Sequence, residues 1–126
     1  MILFFKNRRF SAASRGELQL ADEIVILVYR ATASFPKEEL YGLTSQIRRS
    51  VISVPSNIVE GCARDTQADY VRFLNMAFGS LRELHYQLSL SKRLGFLSDE
   101  DLSIIEPKVT ETEKVLNSLI KALRKN

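Results

Sequence analysis

The sequence predicts an all-α protein that folds as an antiparallel up-down four-helix bundle. Apolar residues recur at intervals of three and four residues in four separate stretches, which is the period of an amphipathic helix rather than of a strand. Short polar breaks that contain glycine and helix-capping residues separate these stretches. A chain of 126 residues with 45% hydrophobic content can bury one core and is short for two domains. We therefore divide it into a basic N-terminal arm, residues 1–16, and one bundle domain, residues 17–126.

The first predicted helix begins at Glu17 and ends before the segment "SFPKEELYG". Pro36 disfavours helical angles in the residue before it, and Gly42 adds a second break. The apolar positions of this helix are spaced four, three and four residues apart: Leu20, Ile24, Leu27 and Ala31.

The second predicted helix covers about residues 43–62 and contains Pro55. A proline in a helix interior removes one backbone hydrogen bond and costs about 3 kcal/mol. The apolar stripe nevertheless keeps its phase on both sides of the proline, at Ile47, Val51, Val54 and Ile58. We therefore predict one helix that is kinked at Pro55 rather than two separate helices.

Capping residues mark the start of the last two predicted helices. Thr66 and Asp69 match the spacing of a capping box, and Gly95 ends the third helix. Ser98 can cap the fourth helix, whose first turn is acidic. Pro107 lies outside the apolar stripe, so it is predicted either to kink the fourth helix or to begin a second piece.

The N-terminal arm carries most of the excess positive charge. The whole chain has 18 basic and 15 acidic side chains, and residues 1–16 hold Lys6, Arg8, Arg9 and Arg15 with no acid, which leaves 14 basic side chains in the bundle domain. Three interpretations of the arm stay open. Arg8, Arg9 and Arg15 could contact an RNA backbone, the arm could be a disordered tail, or residues 2–5 could extend onto a neighbouring subunit.

Catalytic and metal-binding chemistry has little support in the composition. The chain has one cysteine, Cys62, and one histidine, His85, so it has no internal disulfide, no cysteine-based metal site and no second histidine. His85 lies on the edge of the apolar arc of the third helix, where a packed residue is more common than a ligand or a base. We predict a protein that is not an enzyme, with no cofactor, no metal and no small-molecule substrate.

A cytoplasmic location without a membrane partner is the simplest prediction. The first residues place apolar side chains before the positive charges, which is the reverse of a secretory signal. No stretch approaches the roughly 20 apolar residues that span a bilayer.

Two helical faces are candidates for binding. The outward face of the third helix is a basic stripe with one aromatic, and it could hold phosphates and stack a base. Its candidate nucleic-acid-binding residues are Arg72, Arg82, Tyr86 and Arg93. The polar face of the second helix could meet another subunit, through Arg49, Ser53, Ser56, Asn57 and Glu60. For both faces the alternative is a charged or polar surface that is simply exposed to water.

Four segments in this order resemble a known family: "FPKEELYGLTSQIRRS", "VPSNIVEG", "YVRFLNMAFGSLRELHYQL" and "LGFLSDEDL". The chain resembles, over about residues 20–120, the bacterial four-helix-bundle proteins encoded in intervening sequences of 23S ribosomal RNA genes. That family is related to the accessory protein of diversity-generating retroelements, a homopentamer that engages a reverse transcriptase and nucleic acid. One departure is Leu18, which stands where the family usually has a tryptophan.

The resemblance implies a helical bundle that assembles with itself, as a pentamer, and whose other partner is RNA or a nucleic-acid enzyme. It supplies no catalytic residues. The functional hypothesis is therefore a non-catalytic, RNA-associated accessory or scaffold protein. The alternative hypothesis is a protein–protein assembly module with no nucleic-acid partner.

Overall fold

The computed structural model describes the backbone of residues 8–125 and the side chains of residues 14–125. It contains four α-helices: α1 (Arg8–Thr32), α2 (Leu43–Cys62), α3 (Gln67–Arg93) and α4 (Asp99–Arg124). A single 3₁₀ turn, Lys37–Glu39, lies between α1 and α2. No strand occurs within residues 8–125. The all-α, four-helix prediction is therefore confirmed.

Each helix packs on two neighbours, in the order α1–α2, α2–α3, α3–α4 and α4–α1, so α2 and α4 lie at opposite corners of the bundle. Side-chain contacts between α2 and α3 run in opposite chain directions, since Ser50 meets Glu83 and Ser53 meets Ser80. Leu18, at the position of the expected tryptophan, is buried in the core. The smaller side chain therefore still anchors α1.

Helix α1 begins at Arg8, nine residues before the predicted start at Glu17. Residues 8–16 of the predicted arm are thus helical and continuous with α1. Ser14 is fully buried, and its hydroxyl is hydrogen-bonded to the phenol of Tyr70 on α3. Residues 1–7, with Lys6 and the predicted extended segment, and the side chains of Arg8 and Arg9 lie outside the described residues.

Both internal prolines lie within continuous helices. Helix α2 runs through Pro55, and Ile47 and Ile58 on either side of it are both fully buried. Helix α4 runs through Pro107, which is exposed, so the fourth helix is not divided into two pieces. The predicted kink at Pro55 stays a prediction.

The helix ends follow the predicted capping residues. Thr66 Oγ1 accepts a hydrogen bond from the Asp69 backbone N–H at 3.1 Å, and Ser98 Oγ accepts one from Asp101 at 3.1 Å. Gly95 follows α3 with a φ of +81°, a conformation that favours glycine.

A close approach between α2 and α3 depends on Gly61. A Cβ atom at this position would lie 3.0 Å from Phe73 Cβ and 3.2 Å from Tyr70 Cδ1. Both neighbours belong to buried side chains that cannot move freely. The absence of a side chain at Gly61 therefore sets how closely the two helices pack.

We predict that Gly61→Ala destabilises the protein by about 1 to 3 kcal/mol, because the added methyl group overpacks this contact. The matched control is Gly79→Ala. Gly79 is also inside a helix, but it is exposed and a Cβ there meets nothing within 4 Å. The control should stabilise the protein by about 0.5 to 1 kcal/mol through helix propensity. Urea denaturation of both variants measures the two values, and equal effects of the two substitutions would contradict the packing argument.

A buried polar cluster joins the first half of α1 to α2 and α3. It contains Ser14, Glu17, Cys62 and Tyr70, and burial raises the pKa of the Glu17 carboxyl, of the Cys62 thiol and of the Tyr70 phenol. Glu17 Oε2 is buried without a hydrogen-bond partner among the described residues. An ionised Glu17 is therefore poorly solvated in the folded protein.

We predict that Glu17→Gln stabilises the protein at neutral pH. The pKa of Glu17 is raised from its ordinary value of 4.5, so the folded protein holds this proton more tightly than the unfolded chain. The stability of the wild-type protein should consequently fall as pH rises from the unfolded pKa through the folded one. Urea denaturation across a pH series should show an advantage of the variant that grows over this window and disappears below about pH 4. An advantage that does not change with pH would sink this explanation.

Candidate interaction surfaces

The predicted basic stripe on α3 is exposed, but two of its arginines have carboxylate partners. Arg72 Nε lies 3.7 Å from Asp69 Oδ1, and Arg82 Nη1 lies 3.2 Å from Glu113 Oε2 on α4. Arg93 has no carboxylate within ion-pair distance among the described residues. Tyr86 is 60% exposed. The stripe therefore has the predicted geometry and less free positive charge than its sequence suggests.

The buried carboxylate of Glu113 organises the contact between α3 and α4. It faces Arg82 and also His85, whose Nδ1 lies 3.1 Å from Glu113 Oε2. The other ring nitrogen, His85 Nε2, lies 3.3 Å from Glu106 Oε2. His85 is half-buried in this network, as expected for an edge residue. No arrangement suited to a metal ion is found among residues with described side chains.

The polar face of α2 is divided between the bundle and the surface. Arg49, Ser56 and Glu60 are exposed, and Glu60 pairs with Arg64 at 3.3 Å. Asn57 is only 8% exposed, and its Nδ2 donates to the Ser53 carbonyl at 2.8 Å and to Ser53 Oγ at 2.9 Å. Ser53 Oγ also accepts a hydrogen bond of 2.8 Å from Ser80 Oγ on α3.

These contacts place part of the predicted subunit interface beside α3, and its contact with another subunit stays a prediction. Ser53, which is bonded to α3, and Asn57, which is bonded to Ser53, form a polar seam between α2 and α3 of the same chain. The seam continues at Ser50, which is buried and donates to Glu83 Oε1 at 2.7 Å. The position of α3 decides this, and the periodicity of α2 alone does not reveal it.

Sequence reasoning missed a groove between α1, the connection to α2, and the outer face of α2. The groove has a volume of about 460 Å³ and is lined by residues that include Tyr29, Tyr41, Arg48, Arg49 and Ile52. Tyr41 is 93% exposed. In the sequence, the features that could have indicated this groove are Tyr41, beside Gly42 in the predicted break, and the arginine pair Arg48 and Arg49 that follows.

Arg48 is held in this groove by neutral acceptors. Its Nε donates to Thr32 Oγ1 at 2.9 Å and its Nη2 to the Tyr29 carbonyl at 3.4 Å, and its guanidinium lies 4.7 Å from the centre of the Tyr29 ring. Arg48 has no carboxylate within ion-pair distance among the described residues, so it keeps an uncompensated charge.

Arg15, the one predicted RNA contact of the arm with a described side chain, is exposed on α1. It lies outside the groove and on a different helix from the α3 stripe.

A family model for the 23S rRNA-intervening sequence protein matches residues 16–118. The chain belongs to the 23S rRNA-intervening sequence protein family. The resemblance of the four segments to this family is thus confirmed. The match begins close to the predicted boundary between arm and bundle.

A solved structure supports the same family assignment. It is a protein of unknown function from the S23 ribosomal protein family of Bacteroides thetaiotaomicron, with 26% identity and a TM-score of 0.79. The similarity covers 86% of this chain and 98% of the neighbour. No match was found among curated proteins. None of the described helices is long and apolar enough to cross a membrane. Neither the family description nor that of the neighbour names a reaction.

We predict that Asn57→Ala destabilises the protein by about 1 to 3 kcal/mol without changing its assembly state. The substitution removes buried hydrogen bonds inside one chain and touches no outer surface. Ser56→Ala, one residue earlier and exposed, is the control and should stay within about 0.5 kcal/mol of the wild type. Urea denaturation and light scattering measure stability and mass. A change of mass in Asn57→Ala with unchanged stability would place Asn57 at a subunit interface instead.

Proposed function

We propose that this protein is a non-catalytic, cytoplasmic helical scaffold that assembles with itself, as a ring of about five copies, and associates with RNA. The self-assembly follows the resemblance to a pentameric accessory protein. The association with RNA follows the same resemblance, because that accessory protein engages nucleic acid, and the family description names an intervening sequence of 23S rRNA. Catalysis is left out of the proposal, because the resemblance supplies no catalytic residues and neither the family description nor that of the neighbour names a reaction.

The observation that carries the RNA proposal is the position of Tyr86. Its ring is exposed on α3, with Arg82 one turn before it and Arg93 two turns after it. An exposed aromatic ring can stack on an unpaired base, and the flanking guanidinium groups can contact phosphates on either side. Arg82 forms an ion pair with Glu113, so Arg93 is the stronger candidate for a phosphate contact.

We expect Tyr86→Ala to weaken binding of a structured RNA with an unpaired loop by roughly 5- to 150-fold, the equivalent of one lost base stack of about 1 to 3 kcal/mol. Arg93→Ala should weaken binding and reduce the slope of log affinity against log salt by about 0.7, because one phosphate contact is lost. Electrophoretic shifts across a salt series measure both effects. Lys114→Ala, which removes an exposed cation from α4, is the control and should change neither quantity.

Failure of the wild-type protein to retain RNA even at low salt would overturn the RNA proposal. It would favour the second candidate function, a protein–protein assembly module with no nucleic-acid partner. That candidate is supported by the α1–α2 groove, since exposed tyrosine, arginine and aliphatic side chains are the composition of protein interfaces.

A further inference from the structure

The α1–α2 groove combines exposed apolar surface with unbalanced positive charge. Tyr41, Leu40 and Ile52 are exposed, and no acidic side chain lines the groove. Arg48 is bonded only to neutral oxygens, and Arg49 has no carboxylate within ion-pair distance among the described residues. An occupant that complements this groove must therefore offer an apolar side chain together with negative charge.

The first half of α4 has this complementary character. Glu100, Ile104, Pro107 and Glu111 lie within about 60° of one another at 100° per residue, and all four are exposed. Ile104 is 49% exposed, and neither glutamate has a cation within ion-pair distance among the described residues. These four residues form the acidic face of α4. Tyr86, which is exposed on α3, is a poorer occupant, because Arg82 and Arg93 flank it and would repel the groove.

We propose that the α1–α2 groove of one copy binds the acidic face of α4 of a second copy. Ile104 packs against the groove's tyrosine and aliphatic side chains, and Glu111 pairs with Arg49. This inference rests on the self-assembly in the proposed function and names its two surfaces. Single-stranded RNA would use the arginines and tyrosines of the groove but would leave Leu40 and Ile52 exposed, so a protein occupant fits better.

The arrangement explains why assembly passes beyond a dimer. The groove involves α2 and the acidic face belongs to α4, and these helices lie at opposite corners of the bundle. Two copies joined in this way still have one free groove and one free acidic face. Such a heterologous contact repeats from copy to copy, and it closes into a ring when the rotations between successive copies add up to one full turn.

Charge reversal in the full chain tests the pairing. Arg49→Glu alone, and Glu111→Lys alone, should each reduce the mass measured by light scattering towards that of the monomer, since each places like charges in contact. The double variant Arg49→Glu/Glu111→Lys should restore the wild-type mass, because every contact again joins opposite charges. Lys121→Glu, an exposed charge reversal about three turns beyond Glu111, is the control and should keep the wild-type mass. Circular dichroism checks that each variant is folded.

The outcomes separate this inference from the proposed function. A monomeric wild-type protein would overturn both the pairing and the proposed self-assembly. A wild-type oligomer whose mass is unchanged by both single reversals, or is not restored in the double variant, would overturn the pairing alone. Loss of RNA binding in Arg49→Glu at unchanged mass would overturn it too, and would assign the groove to RNA.

Discussion

Burial of one continuous apolar stripe along α2 is the constraint on which the arrangement of the bundle depends. Pro55 removes a backbone hydrogen bond from this helix, at about 3 kcal/mol. One face of α2 buries four apolar side chains: Ile47, Val51, Val54 and Ile58. The burial of each contributes roughly 1.5 to 3 kcal/mol to the stability of the fold. Packing therefore outweighs the local defect, and α2 continues through the proline. The rotation of α2 about its axis is fixed by the same burial.

That rotation determines which polar residues of α2 face α3 and which are exposed to solvent. The flank next to α3 carries Ser50, Ser53 and Asn57, which form hydrogen bonds within the chain. The outward side carries Arg49 and Ser56, which are exposed. Gly61 brings the end of α2 close to α3, so the polar seam is closed at one end by a tight contact between buried atoms. A seam of small residues thus stabilises the subunit itself.

The two candidate interaction surfaces differ in how their positive charge is balanced. On α3, Arg72 and Arg82 have carboxylates within 4 Å, at 3.7 and 3.2 Å. In the α1–α2 groove, Arg48 is held by a hydroxyl and a carbonyl, so its position is fixed while its charge is not neutralised. A fixed cation beside exposed aromatic rings is suited to specific recognition, because its side chain is already ordered and loses little conformational entropy on binding. The groove and the stripe lie on different helices, so the proposed contact between copies and the proposed RNA contact do not compete for one surface.

The number of helices, their capping residues and the membership of the chain in its family could be read from the sequence. Periodicity and capping are local properties of the chain, so Thr66 and Ser98 were identifiable as helix starts without knowing any neighbour. The start of α1 was missed by nine residues, because Ser14 is buried against Tyr70, a residue 56 positions away. The hydrogen bonds that Ser53 and Asn57 form within the chain were not predicted either, since a helical wheel shows which side of a helix is polar but not which side meets another helix. The tertiary structure alone decided which charges are paired and where Tyr41 and Arg48 form a groove, because these depend on distances between segments that are remote in the chain.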